Sequence, residues 1–185
     1  MSDLIIINIA ENEKTLFEGQ LNQKTIKGNG KLLIKNPSQE SRLWNLGCDL
    51  KETVNTTLSS RELSVGVLNP TQEFLSEYEI QNLKEPSLKV VEIFDTAISI
   101  SDKINNTFLF ETENKCKLSL VLTNPLEIPI SNIKVNRKIP SFFQEIKLIN
   151  PNIGSAGITE DTESKALNWN IVSLEGQERA ELMLN

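Results

Sequence analysis

Lys117-Leu-Ser-Leu-Val-Leu-Thr-Asn-Pro-Leu126 is an apolar run that stops at Asn-Pro, and the chain carries a second version of it, Lys31-Leu-Leu-Ile-Lys-Asn-Pro-Ser38. Proline lacks a backbone donor and keeps the residue before it out of the helical region, so each run reads as a strand with a built-in stop. Alternating segments follow both: Trp44, Leu46, Cys48 and Leu50 after the first, Ile133 and Val135 after the second. The halves also close alike, with Val65-Gly-Val-Leu-Asn-Pro-Thr-Gln-Glu-Phe74 echoing Ile171-Val-Ser-Leu-Glu-Gly-Gln-Glu-Arg-Ala180. Self-similarity at this spacing predicts two copies of one β-rich unit. The expected domains are residues 1–85 and 86–185, each near the roughly 100 residues of a seven-stranded sandwich.

Further strands are expected at residues 4–10 and 88–96, which are short and β-branched, with no amphipathic helix of ten residues anywhere. Gly28-Asn29-Gly30 reads as a turn, because these residues tolerate positive φ. Phe108, Leu118, Leu120 and Leu122 are expected in the first sheet of the second copy, and Trp169 is expected to point inward between Leu167 and Ile171. Four Asn-Pro pairs, at 36, 69, 124 and 150, read as loop punctuation. The copies differ in one place: Asn36 to Leu68 spans 32 residues and Asn124 to Leu174 spans 50. The surplus falls in residues 141–165, which read as an enlarged loop: apolar at Phe142, Phe143, Ile146 and Leu148, polar and glycine-bearing after Asn150.

Bulk composition narrows the job. The chain is 38% apolar and 24% charged, ordinary for a folded protein, and its net charge is -6. Nine basic and 12 acidic residues up to Pro86, then 10 and 13, leave -3 in each half. Nucleic-acid binding needs a concentrated basic face, so no nucleic-acid partner is expected. No stretch reaches the roughly 20 apolar residues of a spanning helix, so no membrane insertion is expected. The N-terminus shows no positive leader or small-residue cleavage site, which favours a cytoplasmic location for a full-length chain and a cell-surface one for a fragment of an exported protein. Cys48 and Cys116 share the parity of their apolar neighbours, one in each copy, and read as free thiols rather than a bridge.

The stretch from Leu118 onward, with its Leu-Thr-Asn-Pro, Ile133-Lys-Val-Asn-Arg-Lys-Ile-Pro140, Leu167-Asn-Trp169 and Leu174-Glu-Gly-Gln-Glu178, resembles the immunoglobulin-like "conserved repeat" β-sandwich found in tandem in many archaeal and bacterial chains. Glu175 and Gln177 depart from that family's proline-glycine-glutamate turn. The resemblance implies an all-β chain of two tandem immunoglobulin-like antiparallel β-sandwiches serving as spacer, scaffold or adhesion module. The appendage domains of vesicle-coat adaptors share the same general sandwich, though no residue motif here singles them out.

Catalytic chemistry has little to work with. Histidine is absent, which removes histidine-based triads, imidazole bases and histidine metal sites. Two separated cysteines cannot form a tetrahedral zinc site, and Glu160, Asp161 and Glu163 lack the spacing of a calcium loop. Gly154-Ser-Ala-Gly157 has no Lys-Ser/Thr to make it a phosphate cradle and reads as flexible loop. Asn55-Thr-Thr57 and Asn105-Asn-Thr107 match the glycosylation pattern, which matters only on export. The expectation is a non-enzymatic scaffold or adaptor without cofactor or metal. Its protein partner would bind by strand addition at a sheet edge or through the 141–165 loop, where Asn150, Asn152, Ile153, Gly154, Gly157, Ile158 and Asp161 are the candidate contacts. A homo-oligomer stays open. The alternatives are a fragment of an adhesion protein and, more remotely, a carboxylate-dependent enzyme acting on glycans.

Overall fold

A computed structural model describes residues 5–18, 23–51, 53–58, 60–96, 113–161 and 164–185. It is all-β with antiparallel pairing throughout. One short 3-10 turn, Thr53–Asn55, is the sole helical element among the described residues, and no helix there is long and apolar enough to cross a membrane. The chain divides into two compact units, Met1–Pro86 and Ser87–Asn185.

Unit 1 contains β1 (Ile6–Glu18), β2 (Gln23–Lys35), β3 (Leu43–Asp49), β4 (Glu62–Leu68) and β5 (Glu73–Ile80). One sheet has the order β1-β2-β5 and the other pairs β3 with β4. Leu32, Ile34 and Phe74 of the first meet Leu43, Leu46, Cys48, Leu63, Val65 and Leu68 of the second. Unit 2 contains β6 (Lys89–Asp95), β7 (Lys117–Thr123), β8 (Ile130–Ile139), β9 (Leu148–Ile149), β10 (Ser155–Glu160), β11 (Lys165–Leu174) and β12 (Arg179–Leu184). Its sheets, β6-β7-β12-β9 and β10-β11-β8, enclose a core built on Leu120, Leu122, Leu182, Leu167, Ile171 and Trp169. Phe108 and the second glycosylation pattern lie outside the described residues.

Asn36 and Asn124 are more than punctuation: both are fully buried. The Asn36 Nδ2 group donates to the carbonyls of Ser41 (2.8 Å), Leu68 (3.2 Å) and Asn69 (3.0 Å), while Oδ1 accepts from the Ser38 N–H at 3.1 Å. Asn124 repeats the set on Ile128 (2.9 Å), Leu174 (3.0 Å) and Glu175 (3.1 Å), and accepts from the Leu126 N–H at 3.0 Å. Their own N–H groups donate to Gln72 and Glu178, both at 3.0 Å. The closing turns match as well, with Thr71 at φ 62 and Gln177 at φ 64. Buried carbonyls must be satisfied, and an amide side chain at a strand end reaches several at once.

The structure corrects four local expectations. Gly28-Asn29-Gly30 is not a turn but the middle of β2, and β1 continues past residue 10 to Glu18. The glycines are there for close packing: a Cβ on Gly30 would lie 2.1 Å from Tyr78 Cζ, and one on Gly28 would lie 2.8 Å from Leu83 Cδ1. Trp44 does not share the inward face of Leu46, Cys48 and Leu50. Asn45 at φ 51 makes a bulge that turns Leu43 inward and leaves Trp44 63% exposed, with Arg42 over its ring at 5.1 Å. Asn132, at φ 58, occupies the matching place in β8. Val67 breaks the alternation of Leu63 and Val65, because Gly66 at φ 77 shifts the phase and puts Leu68 inside.

The fourth correction concerns residues 141–165, which are not one enlarged loop. They supply β9 to the edge of one sheet and β10 to the edge of the other. Gly154-Ser-Ala-Gly157 accordingly runs into a strand rather than forming a flexible loop. The physical reason is the unsatisfied edge: β11 and β12 would otherwise present open rows of N–H and C=O groups.

Candidate functional site

All seven sequence-nominated residues belong to this edge closure or its immediate flanks. Asn152 exchanges backbone and side-chain bonds with β12: its N–H donates to Glu181 O (3.2 Å), its Nδ2 to Arg179 O (3.2 Å), and its Oδ1 accepts from the Glu181 N–H (2.7 Å). The Ile153 carbonyl accepts from Trp169 Nε1 at 2.9 Å, tying the segment to the fully buried indole. Gly154 sits at φ 83, where a Cβ would lie 2.3 Å from Asn170 O. Ile158 packs on the core and Gly157, in the same strand, faces open space. Asp161 is exposed, and its N–H donates to the Ser164 carbonyl at 2.8 Å. Asn150 is exposed at the exit of β9. The structure thus brings Asn152, Ile153 and Gly154 together for internal bonding, while Asn150 and Asp161 follow different strands, β9 and β10.

The segment just before them builds something different. Pro140 ends β8, and the Phe143 N–H closes a turn onto the Pro140 carbonyl at 3.2 Å. The turn presents Phe142 and Phe143 with ring centroids 4.5 Å apart, and Phe143 meets Phe94 edge-on at 5.8 Å and 77°. Leu118, Ile139 and Ile146 complete the apolar walls of a groove of about 1020 Å³ at this end of unit 2. Lys147 and Asn185 hold the far wall through paired backbone bonds of 2.8 and 3.0 Å. Phe142 is 67% exposed, a large aromatic left at the mouth.

Charge at the rim is fixed rather than reactive. Arg137 holds both oxygens of Glu92, at 2.7 Å from Nε and 2.9 Å from Nη2. The hydrogen bond to Glu92 raises the guanidinium further above its already high range, against the lowering effect of burial. Burial, and then the nearby Asp95 charge, pushes the Cys116 thiol up, so it stays protonated and a poor nucleophile at neutral pH. Among the described residues no three acidic or cysteine side chains converge on a point that a cation could occupy. Glu160 instead pairs with Lys165 at 3.1 Å, and Glu163 lies outside the described residues.

The nomination by sequence missed Phe94, Phe142 and Phe143 as a set. The available signal was two adjacent phenylalanines one residue beyond a strand-ending proline, since such a pair cannot bury both rings in one sheet face.

No family model and no curated protein matches the sequence. Among solved structures, the chain is similar to the mu-homology domain of yeast delta-COP-I, determined in complex with a Dsl1 WxWxV peptide. The match has a TM-score of 0.52 and 11% identity, and covers 98% of this chain and 74% of that one. At that identity the likeness is one of fold.

Proposed function

We propose that this chain is a non-enzymatic protein-interaction module that seats the large apolar side chains of an extended protein segment in the groove of unit 2. The observation that carries the proposal is the exposed Phe142 stacked beside Phe143 over an apolar cavity of about 1020 Å³. That volume is at the upper end of the roughly 300–1,000 Å³ of pockets that bury a ligand. Aromatics are enriched at the cores of protein interfaces, where the side chains that a partner fully desolvates carry most of the binding energy. The fold neighbour was solved with a WxWxV peptide, and in an extended chain Trp, Trp and Val at alternate positions point to the same side. A segment of that pattern presents large side chains together while its intervening residues stay in water. The absence of histidine from the sequence and the raised Cys116 thiol support a role without bond-breaking.

Fluorescence anisotropy with two dye-labelled synthetic peptides tests this reading, one carrying Trp, Trp and Val at alternate positions and one with alanine at all three. Saturable binding of the first alone, weakened about tenfold or more by Phe142→Ala, is expected; tenfold corresponds to about 1.4 kcal/mol. Circular dichroism should be unchanged, because Phe142 is mostly exposed. Equal binding of both peptides, or full affinity in the variant, would refute the proposal.

A further inference from the structure

β1 is an edge strand among the described residues, and its first part carries none of the usual protection. From Ile5 to Ala10 it has no charge and no proline, the devices by which edge strands avoid pairing with other chains. Ile5, Ile6, Ile7 and Ile9 are 38%, 41%, 55% and 62% exposed. Ile7 and Ile9 lie opposite Ile34 and Leu32, so they share the inward face of the sheet with two of the most buried residues of unit 1.

Unit 2 shows what this flank requires. There Glu92 stands opposite Leu120 as Ile9 stands opposite Leu32, and Glu92 is locked to Arg137. Arg137 is five residues past Asn132, which has positive φ, and five residues past the matching Asn45 unit 1 has Leu50. One unit closes its flank with an ion pair, whereas among the described residues the other leaves an apolar flank open beside an open strand edge.

We infer that a second copy of this chain closes it, by antiparallel pairing of β1 with β1 across a two-fold axis at Asn8. The segment fits itself on reversal: Ile7 falls opposite Ile9, Ile6 opposite Ala10, and Asn8 opposite Asn8, with no charge between Ile6 and Ala10 and Glu11 first entering opposite Ile5 at either end. A two-fold contact demands such self-complementarity. The four inward isoleucines then form one row, and two three-stranded sheets become one of six. Asn8 lies opposite Leu33 on the outward face, where the two amides can bond each other and fix the register, as a buried asparagine does in a coiled coil.

Sedimentation of the full chain over a wide concentration range reads the association, and a dimer is expected. Ile9→Glu should weaken dimerisation at least tenfold with an unchanged circular dichroism spectrum, because Ile9 is largely exposed. Under mild oxidation Asn8→Cys should cross-link between copies faster than Ala10→Cys, since only position 8 meets itself. A chain that stays monomeric at every concentration would overturn the inference and leave the edge to a foreign strand. A dimer that survives Ile9→Glu, or one that cross-links equally at positions 8 and 10, would overturn it too. None of these outcomes bears on the groove of unit 2.

Discussion

Unit 1 and unit 2 place the same hydrogen bonds around a buried asparagine, hold a second asparagine at positive φ in matching strands, and close with the same turn, yet they differ wherever a sheet meets solvent. Unit 2 flanks β11 and β12 with β10 and β9 and locks β6 to β8 through Glu92 and Arg137. Among the described residues, unit 1 leaves β1 open and clusters three buried apolar side chains, where unit 2 clusters eleven. What is common to the two copies satisfies interior backbone groups, which neither can leave dry. What differs governs contact with other molecules, so the edges and flanks rather than the cores are where function is sought.

The sharpest way to break the comparison is to remove the asparagines. Asn36→Ala or Asn124→Ala strands three buried or half-buried carbonyls and one N–H. At about 1–3 kcal/mol for each group left without a partner, a loss of about 3–5 kcal/mol is expected. The smaller core predicts that Asn36→Ala unfolds unit 1 outright, while Asn124→Ala lowers the denaturation midpoint of unit 2. Tryptophan fluorescence in urea separates them, because Trp169 is fully buried in unit 2 and Trp44 is exposed in unit 1. If both variants stay within about 1 kcal/mol of the parent, the shared hydrogen bonds do not hold the units together.

A smaller effect is expected at Trp169. Trp169→Phe removes the bond to the Ile153 carbonyl along with some volume, a cost of about 1–2 kcal/mol. Since that bond anchors the edge segment, amides of β10 should exchange with solvent about tenfold faster than in the parent, by the same conversion of about 1.4 kcal/mol. Unit 1 has Leu63 at the matching position and no such anchor, so its exchange should be unaltered. Uniform acceleration across both units would show that the indole bond is not what holds the edge.

The strands were legible because period-two patterning survives in β7, β11 and the part of β3 after Asn45, and the paired Asn-Pro stops set their ends. Glycines misled, since Gly28 and Gly30 look like a turn until Tyr78 is seen to lie across the second of them. Bulges misled as well: a single residue at positive φ reverses the facing of everything before it, which is why Trp44 reads as inward. The edge strands β9 and β10 were illegible, because strands of two and six residues take their form from the edge they cover and not from their own propensity. The groove escaped for a related reason: Phe94, Leu118, Ile139 and Phe142 come from different strand ends and turns, and no local pattern joins them.

The mildest test of the comparison uses the chain's single tyrosine. Tyr78 donates to Glu11 Oε1 at 2.8 Å, and burial, followed by that bond and the Glu11 charge, pushes its pKa up to about 12 from 10.0. A raised pKa means the folded chain holds the proton more tightly than the unfolded one, so this stabilisation is complete below pH 10.0 and is lost as pH climbs through about 12. Tyrosinate absorbance should therefore titrate near 12 in the native chain and near 10.0 in urea. Glu11→Gln should lower the native value only part of the way, because burial is the larger cause. Unit 2 has Leu184 where unit 1 has Tyr78, so alkali should loosen unit 1 while Trp169 still reports an intact unit 2, and Tyr78→Phe should remove this difference between the units. A native titration at the ordinary value would mean that burial and the bond to Glu11 do not hold the phenol proton as described.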